Sequence, residues 1–124
     1  MLALRLLADI ALRALSPAVN DPATAIEAIE ATDGLLRLLT RRDIDVRDVT
    51  DTSGGLRVQL QLPTWSDYTR NAVADLIPSS AGFDMVLVRL LKLIETLMEN
   101  APPTAQHELA DLRARVRTTL AASG

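Results

Sequence analysis

The sequence predicts a mainly helical fold: about five helices, with one β-hairpin inserted between helices two and three. Three observations predict it. Leucine (22 residues) and alanine (18 residues) supply nearly a third of the 124-residue chain, and both are strong helix formers. Aromatic residues, which strands favour, are reduced to Trp65, Tyr68 and Phe83. Apolar residues recur at helical spacing along most of the chain and alternate in only one stretch. A 48% apolar share with a net charge of −3 excludes a disordered chain. The length suits one domain, 1–124.

The elements follow in order. Residues 2 to 15 read as a helix that is apolar on most sides, interrupted only by Arg5, Asp9 and Arg13. Such a helix is expected to be covered on most sides, and this polar row is therefore expected to be partly buried. Ser16-Pro17-Ala18-Val19-Asn20-Asp21-Pro22 breaks the pattern. Asp21 suits the N-cap of a second helix and Pro22 its first position. That helix runs to about residue 41 along Ala25, Ile29, Thr32, Leu36 and Leu39; Gly34 weakens it without ending it.

Between 43 and 62 the periodicity changes. Leu56, Val58, Leu60 and Leu62 alternate with Arg57, Gln59 and Gln61, the period of a half-buried strand. Ile44, Val46 and Val49 offer a partner across Thr52-Ser53-Gly54-Gly55. Thr64 followed by Asp67 resembles a capping box and opens a third helix over about 65–77, with Pro78 as its stop. A fourth, over about 81–100, carries Val86, Leu87, Leu90, Leu91, Ile94, Leu97 and Met98 and is expected to be central. A fifth, over about 104–122, carries Ala105, Leu109, Leu112, Val116 and Leu120, with Arg113, Arg115 and Arg117 largely outside the stripe.

Composition also narrows function. With no cysteine there is neither a disulfide framework nor a thiolate site. The single histidine, His107, leaves little for a metal centre or a catalytic triad. A pI near 5.0 argues against nucleic acid as a partner. Glu27 with Glu30, and Glu95 with Glu99, lie at helical spacing without a histidine in register, so each pair reads as a solvated face. Trp65 and Tyr68 read as an anchor at the core edge. No catalytic residue, metal site or cofactor is expected.

The 16–24 loop is the one stretch that invites a ligand. Asp9, Arg13, Ser16, Asn20, Asp21 and Thr24 are the candidate binding residues. Exposed amides at a helix start attract anions, and Arg13, oriented by Asp9, would assist. Asp9, Asn20 and Asp21 are hard oxygen donors suited to Mg²⁺ or Ca²⁺. The plainer alternative is structural: Asp21 caps, Asn20 closes the turn, and Arg13 is tied to Asp9 or to loop carbonyls.

The run from Leu7 to Ala25, with Asp9, Arg13, Ser16, Pro17, Asn20, Asp21, Pro22 and Thr24 as its matching residues, resembles the signature of an uncharacterised bacterial predicted membrane-protein family (domain of unknown function 2254). Pro63-Thr64-Trp65 and Leu87-Val88-Arg89-Leu90-Leu91 are similar to further segments of that family; a glycine common after Ser-Pro is Ala18 here. The resemblance implies transmembrane helices upstream and a membrane location for the whole protein, with this chain its soluble C-terminal part. No stretch of this chain reads as a span, because charged residues break the two most apolar ones. The family brings no activity. A non-catalytic domain that self-associates, or regulates its own transmembrane region, is expected; a domain binding a small ligand, anion or metal at the 16–24 loop, with enzymatic activity a further option, is the alternative. A first helix apolar on too many sides for a small monomer points to a homo-oligomer.

Overall fold

A computed structural model describes residues 2–40, 48–50, 57–59 and 64–122. Helix α1 (Leu2–Ala14) turns back through a short loop into α2 (Pro22–Thr40). Strands β1 (Asp48–Thr50) and β2 (Arg57–Gln59) follow, then α3 (Trp65–Thr69), a π-helical turn (Arg70–Ala74), α4 (Leu76–Ser79), α5 (Asp84–Asn100) and α6 (Pro103–Ala122). The packing is helix on helix: α1 lies against α2, and α5 packs on α2 and on α6.

The expected class, with a β-hairpin as a structural element, is corrected to an all-helical body. Two three-residue strands do run antiparallel, Asp48 opposite Gln59, Val49 opposite Val58 and Thr50 opposite Arg57. A ladder of that length forms no sheet layer, because a lone two-stranded pair is marginal in water. The described core draws on the helices and the turns that join them. Of the alternating stretch the described part is Arg57–Gln59, and that short ladder is not a second layer. The remaining residues of that expected hairpin, Ile44, Val46, Leu56, Leu60 and Leu62 among them, lie outside the described residues.

The centre of the core is α5, whose Val86, Leu87, Leu90, Leu93, Ile94 and Leu97 are buried along one face. Leu91 and Met98, expected in the same stripe, lie half-buried at its edge. Opposite them α6 contributes Ala105, Leu109, Leu112 and Val116 as expected, with Leu120 partly buried. Trp65 and Tyr68 are buried and meet edge to face, their ring centroids 6.2 Å apart.

The third helix is not continuous. Thr64 and Asp67 form the expected capping box, with the Thr64 amide donating to Asp67 Oδ2 at 2.8 Å and the Asp67 amide to Thr64 Oγ1 at 3.1 Å. The chain then widens into the π-helical turn, and Asn71 Nδ2 donates to the Asp67 carbonyl at 2.7 Å across that junction. Pro78, expected to stop the helix, sits inside α4. It is tolerated because the first four amides of a helix have no internal partner, so its missing N–H removes nothing. Gly82, at φ +87°, makes the left-handed turn that delays α5 to Asp84.

Candidate functional site

The corner between α1 and α2 is built by short-range bonds. Ser16 Oγ donates to the Arg13 carbonyl at 2.7 Å. The Asn20 amide donates to the Ser16 carbonyl at 2.7 Å, and the Asp21 amide to the Ala14 carbonyl at 2.7 Å. Asn20 itself adopts φ 48°, a left-handed conformation that asparagine tolerates better than most residues. Asp21 then caps α2: it accepts from the Thr24 amide through Oδ1 at 3.2 Å and from the Thr24 hydroxyl through Oδ2 at 2.6 Å. Those bonds, the hydroxyl's first, hold the Asp21 carboxyl below its ordinary value of 3.8. Pro22 occupies the first helical position, where its fixed φ suits a helix start.

Beside this corner runs a groove of about 550 Å³ lined by Leu6, Asp9, Ile10, Arg13, Ala14, Val19, Asp21 and Thr24. Four of the six candidate residues therefore face one cavity: Asp9, Arg13, Asp21 and Thr24. Ser16 and Asn20 instead shape the turn. The expected orientation of Arg13 by Asp9 is corrected, since Asp9 pairs with Arg5 at 3.7 Å. Arg13 makes no ion pair among the described residues. The polar row is half-covered at Arg5 and Asp9, whose side chains are each 54% exposed, and open at Arg13. Leu4, Ala8, Ala11 and Ala14 are the side of α1 that is buried, and this leaves the charged row outside.

The groove walls are more apolar than the 16–24 sequence suggested. Leu6 is 53% exposed, Ile10 49% and Val19 51%, and Leu2 follows on the same row of α1 at 72%. Asp21 has both carboxylate oxygens engaged by Thr24, which weakens it as a cation ligand. Among the described residues, no group of three or more acidic, histidine or cysteine side chains could hold a metal ion.

A buried charge cluster between α2 and α5 is absent from the sequence reading. Asp33 is 4% exposed yet lies on the inward face of α2. Arg89 of α5 donates to its Oδ2 at 3.1 Å, while Arg37 donates to Oδ1 from Nε at 3.1 Å and to Oδ2 from Nη2 at 3.2 Å. Glu30 lies 3.9 Å from Arg89, and Arg89 Nη1 is buried without a hydrogen-bond partner among the described residues. Asp33 and Arg37, four apart on one helix, were a visible signal; Arg89 was not.

Fold and corner together define a small helical domain organised around a Ser-Pro–Asn-Asp-Pro bend, the same stretch that carried the resemblance. The chain belongs to the family described as Predicted membrane protein (DUF2254), whose profile matches residues 1–96. It is 36% identical over 99 residues to uncharacterized proteins of Mycobacterium bovis and of Mycobacterium tuberculosis strains CDC 1551 and H37Rv, a match covering 78% of this chain and 19% of each relative. The chain thus spans about a fifth of the length of these curated relatives. No solved structure matches it. Among the described residues, no helix is long and apolar enough to cross a membrane.

Proposed function

We propose that this chain is a non-catalytic domain of a membrane protein and that it associates with a second copy of itself, linking or regulating the membrane part. One observation carries the proposal. Helix α1 turns its large apolar residues Leu2, Leu6 and Ile10 away from the core, between 49% and 72% exposed, beside an apolar groove. Contiguous apolar surface of this kind marks an interaction site. Multi-angle light scattering on the 124-residue chain tests it. A mass of two chains that falls on dilution is expected; a monomer at every concentration rejects it.

A second reading keeps the groove as a small-anion site, because the Arg13 guanidinium lines it with no ion pair of its own among the described residues. Asp9 and Asp21 on the same walls oppose an anion. Inorganic phosphate is the probe: on this reading it raises the melting temperature, and Arg13→Gln abolishes the rise.

A further inference from the structure

We infer that two copies meet through α1, laid antiparallel across a two-fold axis, with Arg5 of each helix beside Asp9 of the other. The pairing presupposes the self-association proposed above and gives it a surface and a direction.

The direction comes from the two rows on α1. Leu2, Leu6 and Ile10 form the exposed apolar row. Arg5 and Asp9 precede Leu6 and Ile10 by one and Arg13 follows Ile10 by three, so they lie about 60–100° around the helix and flank that row on one side. The other flank, Ala3 and Leu7, carries no charge. In an antiparallel pair each flank meets the same flank of its partner; in a parallel pair it meets the opposite one. Flanking charges are what fix orientation in paired helices. A parallel pair would set the charged row of α1 against Ala3 and Leu7 of its partner. An antiparallel pair sets Arg5 against the partner's Asp9 and Asp9 against the partner's Arg5.

The registers agree as well. The charge exchange centres on Leu7, and about that point Leu2, Leu6 and Ile10 of the two copies alternate at two-residue steps. One two-fold axis therefore satisfies both rows, which is the self-complementarity an isologous interface needs. The Arg5–Asp9 bridge within the helix is long, at 3.7 Å, and half-exposed at both ends; such surface pairs contribute little, so trading it across the interface is inexpensive. The groove of about 550 Å³ beside Leu6 and Ile10 gives the partner's apolar side chains a place to enter. A helix of 13 residues is about 20 Å long, which makes the interface small and the dimer weak.

The native chain has no cysteine, so each introduced thiol is the only one present. Leu6→Cys and Ile10→Cys chains are purified separately, mixed and oxidised, with light scattering on the unmodified chain in parallel. Both positions are half-exposed, which keeps the variants folded. The expected products are the mixed 6–10 and the 6–6 disulfide dimers, each two residues apart along the helix axis about Leu7, well in excess of the 10–10 dimer, which is six residues apart. A 10–10 dimer as abundant as the 6–6 dimer, with little of the mixed one, means parallel helices and overturns the inference. A dimer by light scattering with no cross-link in any mixture moves the interface off α1; the inference fails and the proposed self-association stands. A monomer by light scattering defeats both, including the case where the same residues instead bind vesicles. Arg5→Asp is expected to weaken the dimer several-fold and Arg5→Asp with Asp9→Arg to restore it; no change in the single variant also overturns the charge register.

Discussion

Helices α1 and α5 are both apolar, and they arrange that apolarity in opposite ways. On α5 the large residues face inward: Val86, Leu87, Leu90, Leu93, Ile94 and Leu97 are buried. On α1 three of the four buried residues are alanines, Ala8, Ala11 and Ala14, while Leu2, Leu6 and Ile10 face out. The lesson is that leucine content alone does not locate a core. Helix α1 turns mainly small side chains inward, and the bulk that would normally fill a core remains available on the other side. One helix completes the domain; the other is still half-covered after folding.

Substitutions on each side sharpen this contrast. Leu90 has no exposed surface, so Leu90→Ala opens a cavity in a closed site and is expected to lower unfolding free energy by about 4 kcal/mol, within the range for enclosed leucines; a urea melt followed by circular dichroism measures it. Arg89→Met removes the α5 end of the buried cluster. Arg37 stays on Asp33, which keeps the loss near the lower end for a broken buried pair, about 3 kcal/mol in the same assay. An unchanged melt would mean that Arg37 alone satisfies Asp33.

Acid probes the α1–α2 corner more gently. The Asp21 carboxyl is held below its ordinary value by the Thr24 hydroxyl and amide. A carboxyl depressed in the folded state contributes stability that is fully present above its unfolded value and is lost as pH falls through the folded one. The chain is thus expected to lose part of its melting temperature below about pH 4, and Asp21→Asn to remove that part of the slope. The smallest effect belongs to the outer face of α1. Leu6→Ala on the dilute monomer is expected to move stability by no more than about 0.5 kcal/mol, as surface substitutions do. A loss comparable to that at Leu90 would show that Leu6 belongs to the core after all.

What the sequence disclosed was local. Asp21 and Thr64 announce their caps because the bonded partners lie three residues on. The stripes of α5 and α6 announce their inward faces because one period governs each whole helix. Asp33 was hidden by its own stripe: it falls beside Ile29, Thr32 and Leu36, and the arginine that neutralises it from α5 is 56 residues away. Pro78 misled because proline ends a helix from inside but is accepted in a first turn, and only the break at Asp75 tells which applies. Of the candidate binding residues, the spacing placed all six near one bend. It could not separate Ser16 and Asn20, which hold the backbone, from Asp9, Arg13, Asp21 and Thr24, which border the groove.

The buried alanines of α1 and α2 have one more effect. Ala11 and Ala14 on one helix and Ala25 and Ala28 on the other are core residues with no rotamers to choose among. Burying these four therefore freezes no side-chain rotamers, and none of them can later hop to a second arrangement. Their tolerance is one-sided: a larger residue at any of the four must displace its packed neighbours, whereas removing a methyl leaves only a small gap.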